Sequence, residues 1–297
     1  MATYNKTINR VFSTNVINDL ITKGRNEVYD YVVRRYIKDP EGKTNGQLIS
    51  EIYKYLALNH RNEYYYVNTL LNKLLVGIHN VNTTTALTQV RISDHIADFV
   101  MINGEGCVYE IKSNLDNLGR LKEQLSDYYK AFSKVSVLVS GKEWDNVCAL
   151  LEELGPMGDS VGVYVLSDNN RIFSRAKMRE PVEYNEKLEH KCLFALMRKK
   201  EYESVVYSYY HKLPEVAPVF YYKECLKLFS AIPVLEAQKL VFRQLKKRNR
   251  ISKESFESVP KELKSAVYFS TLSRNIIGIS DFWNRPYQEV GVCISHT

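Results

Sequence analysis

Residues 97–140, ADFVMINGEGCVYEIKSNLDNLGRLKEQLSDYYKAFSKVSVLVS, read as strand, tight turn, strand, helix and strand. Ala97–Ile102 is a short apolar run carrying one acid, Asp98. Asn103-Gly104-Glu105-Gly106 follows, and two glycines so close together signal a hairpin. Cys107–Lys112 is the return strand. Side chains alternate along a strand, so Glu110 and Lys112 share one face and Ile111 points to the other. Asp98, Glu110 and Lys112 are therefore expected to gather near one end of a hairpin. Two carboxylates held that close repel each other and lose solvation unless a cation joins them.

That juxtaposition suggests a metal site. Oxygen ligands with no histidine or cysteine beside them favour Mg²⁺ or Mn²⁺ over zinc. A carboxylate-held divalent ion next to a lysine suits phosphodiester hydrolysis: the ion polarises a phosphoryl oxygen and acidifies a bound water, and the lysine orients that water or offsets developing charge. The plainer alternative is a surface salt bridge, because Glu-x-Lys arises about once by chance in a chain this long. The order of the elements favours the site. An Asp strand, a glycine turn, a Glu-x-Lys strand and an amphipathic helix follow one another.

Working outward, Thr83-Thr84-Thr85 leads into an expected strand, Ala86–Ile92. Upstream, residues from Asn45 are helical in pattern, with Tyr64, Val67, Leu71, Leu74 and Leu75 as a core stripe. Glu63 lies close to that stripe. It reads either as an exposed helix acid or as a third carboxylate delivered toward the sheet. Before Pro40, Ser13 or Thr14 can cap a helix carrying Val16, Ile17, Leu20 and Ile21, which Gly24 ends. After Lys112, Asp116 can cap a helix whose stripe is Leu118, Leu121, Leu125, Tyr129 and Phe132. Arg120, Gln124 and Tyr128 border that stripe at four-residue steps, facing where a phosphate would lie. Of these, Gln124 falls nearest the buried side, and Arg120 reads more simply as a solvated edge. Val135–Ser140 and Val161–Leu166 are further strands, separated by a helix over Trp144–Leu154 that Gly155-Pro156 ends. Beyond about Glu180 the pattern is almost wholly helical, with helices expected over Leu188–Tyr209, Val219–Ser230, Leu235–Lys247 and Lys261–Ser273.

The chain has 297 residues, a net charge of +7, 45% hydrophobic and 25% charged residues, which fits a soluble globular protein with a polyanionic partner. Lys239, Arg243, Lys246, Lys247, Arg248, Arg250 and Lys253 form a run without an acid. Such a run is usually a solubilising helix end, and the alternative is contact with phosphates, which positions nucleic acid without reading sequence. The 5 cysteines are scattered with no metal-binding spacing, as in a reducing compartment. No apolar run approaches membrane length and Met1–Arg10 does not read as a signal peptide, so the expected location is the cytoplasm, with no membrane partner.

At Asp98, Glu110-Ile111-Lys112 and Gln124 the chain resembles the PD-(D/E)XK nuclease superfamily, whose core is an αβββαβ sandwich. More narrowly it is similar to a bacterial and prophage branch in which D-x-x-x-I-N-G leads to YEIKS and then to D-x-L-x-R-L-x-x-Q. Here these are Asp98 to Gly104, Tyr109 to Ser113 and Asp116 to Gln124. Arg61 to Tyr64, Asn68 to Lys73 and Tyr221 to Cys225 also look like the longer members. The resemblance implies that Asp98, Glu110 and the Ile111 carbonyl ligate Mg²⁺ or Mn²⁺. By the same resemblance Lys112 serves the attacking water, and Glu63 and Gln124 match helix residues of the superfamily. Two positions depart from the pattern. Ile96 stands where a basic residue is common, with His95 its neighbour, and Gln89 stands where an acid is common.

The expected fold is therefore α/β (α+β): a restriction-endonuclease-like αβββαβ core with a mixed sheet, N-terminal helices and a largely helical C-terminal region. The expected divisions are 1–44, 45–180 and 181–297. The expected function is a metal-dependent nuclease, an endonuclease acting on nucleic acid with DNA as first choice, in phage defence or mobile-element biology. Tyr128, Arg120, Lys246, Lys247, Arg248 and Arg250 are the candidate nucleic-acid contacts. The other reading is a weak or inactive nuclease-fold module that binds nucleic acid or a protein partner, with the helical C-terminal region as a further surface for a partner or a second copy.

Overall fold

The computed structural model describes residues 7–59, 61–78, 81–113, 116–167, 178–248 and 251–288, with the backbone alone at 76–78. The fold is mixed α/β and divides into two compact units, residues 79–250 and residues 1–78 together with 251–297. The boundaries expected at 44/45 and 180/181 are not those of the structure. The helices between Asn45 and Leu71 group with both chain ends, and those between His190 and Lys246 complete the sheet-bearing unit.

In the first unit, helices α1 (Thr14–Lys23), α2 (Glu27–Tyr36), α3 (Asn45–Asn59) and α4 (Glu63–Leu71) share a core with α13 (Lys264–Tyr268) and α14 (Ile276–Asn284), and Phe256 of α12 (Lys253–Ser258) meets the Tyr268 ring of α13 edge-on. Ser13 caps α1, its side chain accepting from the Val16 N–H, and Gly24 closes it in the left-handed region at φ 73°. Distant side chains tie α3 and α4 to the C-terminal segment. Asn45 donates to the Phe282 and Arg285 carbonyls, Asn68 donates to the Lys261 carbonyl, and Tyr64 donates to the Glu262 carbonyl. Only backbone fits at Gly46, where a Cβ would stand 2.5 Å from the Trp283 ring.

The second unit is a six-stranded sheet in chain order: β1 (Thr85–Ile92), β2 (His95–Asn103), β3 (Glu105–Lys112), β4 (Lys134–Ser140), β5 (Gly162–Leu166) and β6 (Met178–Arg179). The first three strands are antiparallel, β3–β4–β5 are parallel and β6 returns antiparallel. The β2–β3 turn centres on Gly104 at φ 76°, between paired Asn103 and Glu105. Helix α5 (Leu121–Tyr128) carries the chain from β3 to β4 and packs on β2. A parallel strand covered on both faces must be apolar throughout, and Val135, Val137, Leu138 and Val139 of β4 are fully buried. Helices α6 (Trp144–Glu152), α7 (Pro156–Ser160), α8 (His190–Ala195), α9 (Lys199–Tyr210), α10 (Pro218–Ser230) and α11 (Val234–Lys246) complete the unit. At Gly106 a Cβ would lie 2.6 Å from the Phe242 ring of α11, so glycine is what lets that helix close on β3.

Several local expectations shift. Asp116 does not cap α5; its Oδ2 accepts from the Ser113 N–H and hydroxyl, and Asn117 caps a 3-10 turn, Leu118–Arg120, that precedes the helix. Pro156 opens α7, so Gly155-Pro156 is a junction rather than only a stop. The helix expected across 188–209 is two helices, α8 and α9.

Candidate active site

The hairpin pairing runs from the turn to Phe99↔Tyr109 and ends there. Continuing that register places Asp98 opposite Glu110, where the strands cease to exchange backbone hydrogen bonds. Asp98 Oδ2 takes over, accepting the Ile111 N–H at 2.8 Å. In an antiparallel pair the N–H and C=O of a hydrogen-bonded residue face the same neighbour. The Ile111 carbonyl accordingly faces the strand edge that Asp98 occupies.

Glu110 is 2% exposed and both its oxygens are engaged. Oε1 accepts from Lys112 Nζ at 2.8 Å and from Gln124 Nε2 at 2.6 Å, and Oε2 accepts from the Tyr128 hydroxyl at 2.6 Å. Lys112 also donates to Gln124 Oε1 at 2.8 Å, closing a three-membered ring of side chains. Glu110 and Lys112 lie on the face of β3 that α5 covers, which is why Gln124 and Tyr128 reach them. Burial drives the Tyr128 hydroxyl pKa far upward, and repulsion from Glu110 and then from Asp98 adds to it. Glu110 thus touches the phenol directly, and Asp98 acts on it through space.

Lys112 supplies Glu110 with the positive charge that the sequence argument assigned to a metal. A divalent ion is thus not the sole way to accommodate this pair. The donor types nonetheless suit one: Asp98, opposite Glu110 by register, holds the Ile111 N–H at the strand edge and is only half-buried. Among the described residues no group of three or more His, Cys, Asp and Glu side chains forms a metal cage.

The remaining candidates divide. Tyr128 is fully buried, so it holds Glu110 and is no nucleic-acid contact. Arg248 is likewise no free phosphate contact, because its guanidinium forms a two-point pair with Glu201, at 2.8 and 2.5 Å, and donates to the Leu196 carbonyl. Arg120 and Lys247 are exposed and Lys246 is half-buried. Arg250 lies outside the described residues. Glu63 opens α4 in the first unit as an exposed first-turn acid behind the Asn62 cap.

Sequence reasoning missed two features of β1 and β2. Gln89 sits in the left-handed region at φ 53°, between the pairs Thr88↔Phe99 and Val90↔Ala97, so it stands across from Asp98. Ala97 and Val100, three positions apart, join the same core, so the alternation expected of β2 is broken at Asp98. A non-glycine residue with positive φ is strained, and such strain collects at functional sites. No local residue pattern signals it. The other feature is the contact between His95 and Asp127, 2.7 Å apart.

Among known families, that of Bacteriophage P4 protein cII matches residues 57–267, well over half of the chain. The chain belongs to that family. Its match extends from the end of α3 through the sheet to α13, so it takes in Asp98, Glu110, Lys112 and Gln124. Neither the curated proteins nor the solved structures contain a match. Among the described residues no helix is long and apolar enough to cross a membrane.

Proposed function

We propose that this protein is a divalent-metal-dependent nuclease that hydrolyses phosphodiester bonds of nucleic acid, with DNA as the first substrate to test. The observation that carries the reading is the convergence of Asp98, Glu110, Lys112 and Gln124 where the β2–β3 ladder ends. Asp98, Glu110 and the Ile111 carbonyl would hold Mg²⁺ or Mn²⁺, which when bound supplies Lewis-acid polarisation of the phosphate and an acidified water. The chain's own residues have separable tasks. Asp98 fixes the strand edge through the Ile111 N–H, Gln124 and Tyr128 orient Glu110, and Lys112 provides a buried ammonium to steer a water and offset phosphoryl charge. Arg120, Lys246 and Lys247 are the candidates left for backbone phosphates. Membership of a family described by a bacteriophage protein is the support for a role in phage or mobile-element biology.

A second reading has a specific observation behind it. Glu110 already receives three donors, so the fold is complete without an ion, as in a nuclease-like module that only binds. Incubating plasmid and single-stranded DNA with Mg²⁺ or Mn²⁺ separates the two. The nuclease reading expects cleavage that EDTA and Lys112→Ala each abolish. Cleavage indifferent to both would reject it, and salt-sensitive binding without cleavage would favour the module.

A further inference from the structure

Helices α9 and α11 run antiparallel and are fastened at two places. The Glu201–Arg248 pair closes one end, and farther along Gln244 Nε2 donates to the Ser204 hydroxyl at 3.1 Å. Lys200, Ser204 and Tyr207 follow one another at steps of four and three, so they share one side of α9. Lys239, Arg243 and Lys247 follow at steps of four and share one side of α11. All of them are exposed. Counting in opposite directions from the Ser204–Gln244 bond brings Tyr207 level with the interval between Lys239 and Arg243, and Lys200 close to the level of Lys247. The charges on this face do not cancel. The ion pairs of the two helices are Glu201–Arg248 and Lys199–Glu203. They leave Lys200, Lys239, Arg243 and Lys247 unpaired among the described residues, against one exposed acid, Glu236, in the first turn of α11.

Amid these cations Tyr207 is 56% exposed, and no ring among the described residues packs on it. An aromatic ring stabilises a fold by being buried, and this one is left in water. Cations beside an open ring suit a single strand, whose phosphates meet the charges while an unpaired base covers the ring. A duplex offers no such base, because its base faces are already stacked. The face is also separate from the carboxylates. Phe242 of α11 packs at Gly106, beside the β2–β3 turn, and Asp98 lies toward the other end of β2. We propose that this α9–α11 face binds single-stranded nucleic acid, with Tyr207 stacking on a base and Lys200, Lys239, Arg243 and Lys247 meeting phosphates. The proposal rests on the nucleic-acid reading above and narrows it to a single strand.

The test is fluorescence anisotropy in EDTA with a labelled single-stranded DNA oligonucleotide, its duplex and labelled polyglutamate, over a range of salt. Tyr207→Ala should bind the single strand about tenfold more weakly, the worth of one stacked base, and bind the duplex as the wild type does. Its slope of log affinity against log salt should not change, because the ring carries no charge. Tyr207→Phe keeps the ring and should keep the affinity. Arg243→Gln removes one cationic contact and should make the slope shallower by about 0.7. Undiminished single-strand binding by Tyr207→Ala, an unchanged slope in Arg243→Gln, or no binding by the wild type would each overturn the proposal. Tighter wild-type binding to polyglutamate than to the oligonucleotide would make the partner an acidic protein and overturn it too. Metal-dependent cleavage alongside variants that bind as the wild type removes this surface and leaves the nuclease reading standing. Binding that depends on Tyr207 and Arg243, with no cleavage, does the reverse.

Discussion

Replacing Lys112 by methionine keeps the aliphatic stem and removes the ammonium. Glu110, 2% exposed, would then keep only the donors from Gln124 and Tyr128. The lost charge stood 2.8 Å from Glu110 Oε1. At an effective dielectric constant of about 20 that separation corresponds to about 6 kcal/mol of Coulomb attraction. Part of it offsets the desolvation of two ions, so the expected loss of stability is about 3–5 kcal/mol, as for other buried pairs stripped of one partner. Urea denaturation in EDTA measures it. The same experiment with Mg²⁺ or Mn²⁺ is the sharper half. An ion that takes Asp98 and Glu110 replaces the missing charge, and at about a hundredfold excess over its Kd it returns about 2.7 kcal/mol. A loss under about 1 kcal/mol would mean that the pair is effectively solvated. A full loss that metal does not relieve would refute the claim that these carboxylates accept a cation.

Other perturbations test the scaffold and the rejected contacts. Gly106→Ala forces a Cβ to 2.6 Å from Phe242 and 2.9 Å from Phe132, so thermal denaturation should show a loss of about 1–3 kcal/mol; an unshifted midpoint would mean that α11 packs more loosely. Arg248→Met should lower stability through the abandoned Glu201 carboxylate and leave the salt slope of oligonucleotide binding unchanged, whereas Lys247→Gln should lower that slope by about 0.7 if Lys247 meets a phosphate. Burial raises the pKa of Asp127, but the bonds from Lys130, His95 and the Asp94 N–H outweigh that, so its folded pKa lies below its unfolded value. Its stabilisation is complete above about pH 4 and fades as pH falls through the folded value. Urea midpoints should therefore drop more steeply in acid for the wild type than for Asp127→Asn, and parallel curves would contradict the assigned bonds.

Strands and turn were legible because their causes are local. Gly104 marks the reversal, Glu110 and Lys112 alternate as a strand requires, and the apolar run of β4 announces burial on two faces. The mixed α/β character follows from that order. Gln124 could be placed toward the buried side from its position on the helix. Tyr128 follows it by one turn, and the same spacing that carried it to Glu110 also buried it. Arg248 looked like part of a basic surface because its partner, Glu201, belongs to another helix and leaves no trace nearby in sequence. The division into units was hidden for the same reason: Asn45 and Asn68 bond to carbonyls near residues 282 and 261. Nothing local distinguishes Glu63 as a catalytic acid from Glu63 as an ordinary first-turn residue of α4. The left-handed backbone of Gln89 leaves no residue signature at all.

Titration of Mn²⁺ into the protein by calorimetry bears most directly on the central claim, because it needs no knowledge of the substrate. The account predicts saturable binding by the wild type that disappears in Asp98→Ala, with the variant still folded by circular dichroism. Absence of binding in the wild type, or equal binding in the folded variant, would contradict it.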